Sequence, residues 1–162
     1  MDELIYTEKL QSNLTTGLFV FLAALFIALF GWRVTTVGWK FTPGLFLSLA
    51  LFFLFYVFNY RTLRIQISEE TLSLRFGLVR WRTELKNIQD CISDDPPLWI
   101  KYGGAGVHFA MVMGIYRAFF NFLEGPRLLV TFKEKQGLAQ ALSFSSYQPE
   151  RILELLRGRI TA

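Results

Sequence analysis

Cysteine and histidine are almost missing from this chain. One of each, Cys91 and His108, stands among 162 residues. That excludes an intramolecular disulfide framework and a metal site built from clustered cysteines or histidines. A lone Cys behaves as a small packed hydrophobe, and a lone His reads as structural or solvent-facing. Signatures of catalysis are missing too. No Gly-x-Ser-x-Gly elbow occurs, and the acids Glu69, Glu70, Asp90, Asp94, Asp95, Glu124 and Glu134 mostly fall in turn-like polar segments. Asp94-Asp95 precedes Pro96-Pro97 and reads as a solvated turn rather than a metal pair. The chain is therefore not expected to be an enzyme, and no metal or cofactor is expected. Its net charge of +4 is modest and spread along the chain, so nucleic acid is not an expected partner.

The most informative absence is charge. From Gln11 to Trp32, and again from Phe41 to Tyr60, no Asp, Glu, Lys or Arg occurs. A bilayer's hydrocarbon core of roughly 30 Å takes about 20 apolar residues of helix to cross. In hydrocarbon the backbone must satisfy its own hydrogen bonds, so each run predicts a transmembrane helix. A cleaved signal is not expected: the residues before the first run include Asp2, Glu3 and Glu8, and the run exceeds a signal core of about 7–15 residues.

What is present agrees with this. Hydrophobic residues make up 52% of the chain, with 17 phenylalanines. The two spans, about 11–32 and 41–60, predict a hairpin joined by a linker carrying Trp32 and Trp39, residues that favour the headgroup layer. Tyr6, Tyr56 and Tyr60 lie toward the opposite surface, and Pro43-Gly44 suits the start of the second helix. Arg33 and Lys40 flank the linker, whereas Lys9, Arg61, Arg64, Arg75 and Arg80 fall on the other side. The excess of basic residues there places both termini in the cytoplasm of a two-span protein of the cell membrane. Residues 1–60 then form an N-terminal segment with the hairpin, and residues 61–162 form one domain with a single small core.

From Thr62 the period becomes two. Leu63, Ile65 and Ile67 alternate with Arg64, Gln66 and Ser68, which predicts a half-buried strand. Thr71–Phe76 alternates again. Gly77-Leu78 predicts a two-residue type II′ turn that sets Arg75 opposite Arg80, Leu74 opposite Trp81 and Ser73 opposite Arg82. Leu72, Leu74, Trp81 and Thr83 then share the buried face, and the arginines share the other. Leu85–Ile92 reads as a helical turn or irregular strand. A later hairpin is expected from Ile115–Phe122, through Glu124-Gly125-Pro126, to Arg127–Lys133, then a strand over Leu138–Phe144. The C-terminal segment predicts a helix with Ser145 or Ser146 as cap, Pro149 and Glu150 in its first turn, and Gly158 at its end.

Ile67-Ser68-Glu69-Glu70-Thr71-Leu72, the segment Arg75-Phe76-Gly77-Leu78-Val79-Arg80-Trp81 and Leu85-Lys86-Asn87-Ile88-Gln89 resemble the start of bacterial PH-like (pleckstrin-homology-like) domains. Lys101-Tyr102-Gly103-Gly104-Ala105-Gly106-Val107, with Tyr116-Arg117-Ala118 and Gly125-Pro126, is similar to a segment of small membrane-bound bacterial and archaeal members. The resemblance implies an α+β protein with a membrane part: a two-helix transmembrane hairpin, then a PH-like antiparallel β-barrel or sandwich capped by a C-terminal α-helix. It implies no established reaction.

Three features invite a functional reading. Tyr102, Gly103, Gly104 and Gly106 form a glycine-rich loop, read as a tight bend or as a ligand or partner loop; no Lys-Ser/Thr pair follows it, which argues against nucleotide. Val107–Tyr116 is apolar, read as a buried strand or as a segment against the membrane interface. Arg61, Arg64, Arg75, Arg80 and Arg82 form a basic set, read as a solvated face or as lipid-facing. The expectation is a membrane-anchored interaction or scaffold module that binds a protein partner or self-assembles in contact with the lipid bilayer. The alternative is recognition of anionic lipid.

Overall fold

The two uncharged runs are helices, and they leave and re-enter the domain at adjacent points. The computed structural model describes residues 3–101 and 104–160. Helix α1 spans Asn13–Val37 and α2 spans Phe41–Asn59. At 1.5 Å per residue they measure about 37 Å and 28 Å, and both fall within the range of about 17–25 residues that crosses a hydrocarbon core. Ser12 caps α1, its hydroxyl accepting from the Thr15 amide at 2.9 Å. The first helix runs past Trp32 because nothing between Arg33 and Val37 breaks it. It ends at Gly38, whose φ of 71° suits a residue without Cβ. The linker thus shrinks to Gly38-Trp39-Lys40. The helices meet where Ala23 and Ala50 are buried, small residues that let backbones approach. Ring contacts fill the seam, among them Phe26–Phe53 at 5.6 Å and Phe19–Tyr56 at 5.1 Å. In the most apolar stretch of each helix only 11% is buried, so the hairpin stands clear of the rest of the chain.

The first sheet contains a strand missed by the sequence reading. Strand β1, Leu4–Gln11, precedes the helices and pairs antiparallel with β2, Thr62–Ser68, which follows them. β3, Thr71–Phe76, and β4, Val79–Glu84, complete the order β1-β2-β3-β4. β1 hides from pattern reading because a bulge interrupts its register between Leu4 and Tyr6, and the inward Glu8 breaks its apolar alternation. Glu8 is not wasted: its carboxylate accepts from Ser146 Oγ at 2.7 Å and the Tyr147 amide at 2.7 Å. Tyr6, expected near a membrane surface, lies instead in the core. Its phenol is pushed up to about 12 by burial and by the neighbouring Glu8 charge, against the pull of Arg151. The β3–β4 register is the expected one: Arg75 faces Arg80, Leu74 faces Trp81, and Ser73 faces Arg82. Trp81 takes the core face but is only half-buried, since β4 is an edge strand.

A 3₁₀ turn at Leu85–Asn87 leads to the second sheet. Its strands are β5 (Ile88–Asp94), β6 (Gly106–Val112), β7 (Ile115–Asn121), β8 (Arg127–Gln136) and β9 (Ala139–Ser145), ordered β5-β8-β9-β7-β6. A one-turn helix α3, Leu98–Lys101, separates β5 from β6. The expected hairpin of Ile115–Phe122 with Arg127–Lys133 does not form, because β9 inserts between those strands and runs parallel to β7. The reason is burial on both faces. Ala118 and Phe120 enter the main core, while Phe119 packs with Ile100 and Val112 on the other side. A strand covered twice takes an interior place in the sheet. The apolar Val107–Tyr116 stretch instead supplies the edge strand β6 and its turn.

The two sheets are not joined into a closed barrel, and one strand pair is parallel. They share one core with Leu63, Ile65, Leu74 and Phe76 from the first, Phe120, Val130, Leu142 and Phe144 from the second, and Ile152 and Leu156 from α4, Pro149–Ile160. α4 runs through Gly158 rather than ending there. Ser145 and Ser146 do not cap it. Ser145 Oγ accepts from the Phe122 amide, and Ser146 Oγ from the Gln148 amide, ahead of the helix.

Candidate functional site

Register places four cations in one line across the first sheet. Lys9 stands opposite Arg64, Arg64 opposite Arg75, and Arg75 opposite Arg80. All four are exposed, on the face away from the core. With strands about 4.8 Å apart the row is about 14 Å long. Like charges directly opposite one another destabilise a sheet, and among the described residues no carboxylate pairs with any of the four. Two are steered by neutral acceptors: Arg75 Nε donates to Gly77 O at 2.9 Å, and Arg80 Nε to Ser73 Oγ at 3.2 Å.

The row sits close to the helices. Gln11 and Thr62, paired where the chain leaves and re-enters the sheet, are joined by Gln11 Nε2 to Thr62 Oγ1 at 3.2 Å. Lys9 and Arg64 are two strand residues further, at most about 7 Å along the sheet. Arg61 follows α2 directly. Arg61, Lys9, Arg64 and Arg75 surround a shallow recess of about 280 Å³ whose helix side is Phe58 and Asn59, with no carboxylate among the described residues of its lining.

Four contacts tie the two sheets and their connections to the base of the hairpin. Ser12 Oγ donates to Glu124 Oε1 at 2.6 Å, and Thr15 Oγ1 accepts from the Leu123 amide at 3.2 Å. The Tyr147 hydroxyl donates to Gln11 O. The Leu78 amide donates to Asn59 Oδ1 at 3.3 Å, docking the β3–β4 turn on the end of α2. There Gly77 has φ of 50°, and a Cβ on it would lie 2.6 Å from the Asn59 carbonyl oxygen. Leu78 and Phe58 are each 79% exposed beside it.

Of the basic residues singled out by sequence, the structure gathers Arg61, Arg64, Arg75 and Arg80 near the helix ends. Arg82 lies one outward row further, opposite Ser73. Lys9 belongs to the same row and was missed as a site residue, since its place depends on β1. In the glycine loop, Tyr102 and Gly103 lie outside the described residues. Gly104 O accepts from Asn121 Nδ2 at 3.0 Å. Gly106 has φ of 89°, and a Cβ there would come 3.1 Å from the Tyr60 ring. Both described glycines serve packing.

Other chemistry-bearing groups are accounted for by the core. Asp94, read as part of a solvated turn, is instead buried at the end of β5: Oδ1 pairs with Arg117 Nη1 at 3.2 Å and Oδ2 accepts from Ser143 Oγ at 2.5 Å. Sequence showed no partner because Arg117 arrives from β7. Cys91 is buried, its thiol pushed up to about 12 by burial first and Asp90 second. His108 stacks on Phe119 at 4.8 Å and is held below its ordinary value by burial and then by Arg127. Among the described residues no three of His, Cys, Asp and Glu converge as a metal site. A larger recess of about 570 Å³ at the far end of the first sheet mixes Glu70, Glu84 and Glu134 with Arg82, Lys86 and Lys133, a balanced and solvated surface.

No protein-family profile, curated protein or solved structure matches this chain.

Proposed function

We propose that this protein is a binding module of the PH-like class, anchored in the cell membrane by its helical hairpin, with both termini and the domain cytoplasmic and the cation row turned toward anionic headgroups. The row carries the reading. Headgroup layers are about 5–8 Å thick on each side of the hydrocarbon, and Lys9 and Arg64 lie at most about 7 Å past the Gln11–Thr62 pair. A row of like charges with no carboxylate paired to it among the described residues costs stability in isolation and recovers it against an anionic surface, at about 1 kcal/mol per basic residue. The hairpin itself supports anchoring. Mean hydropathies of 2.3 and 2.1 with little burial describe helices that need an apolar surrounding.

PH-like class is supported by what remains when two insertions are set aside. Without the helical hairpin between β1 and β2, and without the β6–β7 hairpin, the chain is a four-strand meander, a three-strand meander β5-β8-β9 and a closing helix. A second reading, a protein partner or another copy of the chain, draws on the edge strand β6. It exposes Phe109 and Met111 and leads to Met113, which is 84% exposed.

The full chain in nanodiscs of neutral lipid, and of neutral lipid with added phosphatidylglycerol, separates the two. Hydrogen exchange at β1–β3 slows in the anionic discs if the row meets headgroups. Equal exchange in both discs removes the lipid reading and leaves the protein-partner reading.

A further inference from the structure

We infer that the recess at the foot of α2 is a discrete site for one anionic phospholipid whose headgroup carries more than a single phosphodiester charge. The inference rests on the membrane-facing function proposed above and gives it a location and a ligand class. Three observations carry it. Lys9, Arg61, Arg64 and Arg75 converge on the recess from three separate places in the sequence, with no carboxylate among the described residues of its lining. Four cations around one recess exceed the charge of a single phosphodiester. Guanidinium forks suit bidentate phosphate contacts, and three of the four are arginines. The recess also has an apolar wall. Phe58, 79% exposed on the last turn of α2, borders it, so a ligand with phosphates on the row and an acyl chain along α2 satisfies both surfaces. A free phosphate uses only one of them.

The size fits a headgroup rather than a whole lipid. About 280 Å³ falls just below the roughly 300–1,000 Å³ of small-molecule sites. The site is also held in shape before any ligand arrives. Asn59 is fixed to the β3–β4 turn through the Leu78 amide, and Arg75 is fixed to Gly77 O. Arg80 and Arg82 stand outside the recess. The diffuse attraction proposed above counts them with the others, and the discrete site does not.

The full chain in detergent, titrated under native mass spectrometry, tests this with phosphatidylcholine, phosphatidylglycerol, phosphatidic acid, cardiolipin and inorganic phosphate as probes. One retained lipid is expected for phosphatidic acid or cardiolipin, less for phosphatidylglycerol and none for phosphatidylcholine. Arg61→Gln, Arg64→Gln and Lys9→Gln should each weaken it about fivefold, and Arg80→Gln and Arg82→Gln should leave it unchanged. All five positions are exposed, so circular dichroism should be unaltered across the set. If Arg80→Gln and Arg82→Gln weaken binding as much as Arg61→Gln, the discrete site is wrong while the broad basic face stands. If no anionic lipid is preferred over phosphatidylcholine, both fall. Competition by millimolar inorganic phosphate as effective as by lipid would overturn the lipid as the ligand.

Discussion

Lys9 stands directly across from Arg64, although the chain between them runs out and back through two long helices. The pairing makes the helical hairpin an insertion in a β-sheet rather than a tether ahead of a domain. It also means that cations from both sides of the insertion meet at its base.

That juxtaposition has an energetic consequence. Arg64 faces Lys9 on one side and Arg75 on the other. Arg64→Glu turns two repulsive pairs into attractive ones, each worth roughly 0.2–1 kcal/mol. Thermal unfolding in neutral detergent should therefore show the variant to be more stable than the parent, while its preference for anionic lipid drops. A less stable variant would mean the row is not under electrostatic strain.

Two glycines should respond in opposite directions. Gly77 combines positive φ with the Asn59 backbone where a Cβ would sit, whereas Gly158 is helical with nothing within 4 Å. Gly77→Ala should destabilise by more than about 1–2 kcal/mol, the left-handed penalty alone. Gly158→Ala should stabilise by roughly 0.5–1 kcal/mol. Melting curves of the two variants check both signs.

Asp94 and Arg117 form an ion pair whose side chains are only 5% and 7% exposed. Asp94→Ala leaves a guanidinium with 7% side-chain exposure unpaired, a loss of roughly 3–5 kcal/mol. Adding Arg117→Met should recover most of that loss. Chemical denaturation of the single and double variants measures the difference, and equal stability of the two would contradict the pairing.

His108 gives a pH response of definite sign. Its folded-state value lies below the ordinary 6.5, through burial and then Arg127. The unfolded chain therefore takes up the proton first. Stability contributed by neutral His108 is complete above pH 6.5 and declines as pH falls below it. His108→Phe keeps an aromatic ring against Phe119 and should flatten the melting temperature between pH 7 and 5. An unchanged slope would assign it to other groups.

Sidedness can be read with the native cysteine in place, because Cys91 is buried with its thiol pushed up to about 12. Maleimide should not label the folded parent at pH 7. Lys40→Cys, in the connection between the helices, should label from outside intact cells. Lys135→Cys, near the end of β8, should label only after the membrane is opened. Labelling of both from one side would contradict a spanning hairpin.

How much of this was legible in the sequence follows from distance along the chain. The two helices declare themselves because a run without charge is a local property with one stable answer in hydrocarbon. The register of β3 against β4 is equally local: Gly77 allows a two-residue turn, and the turn dictates that Leu74 meets Trp81. Strand alternation likewise located β2 and β3. Alternation does not say which strand lies beside which, so β9 between β7 and β8 was invisible, as was Arg117 coming to meet Asp94. Hydrophobic pattern, turn chemistry and charge alone determined the two long apolar helices, the strand periods and the excess of basic residues outside the connection between those helices. Only tertiary structure could turn that excess into a site. Lys9, Arg61, Arg64 and Arg75 surround one recess because β1 closes against β2 across the whole helical insertion, and pairing between distant segments is set by the shared core and not by any stretch of chain on its own.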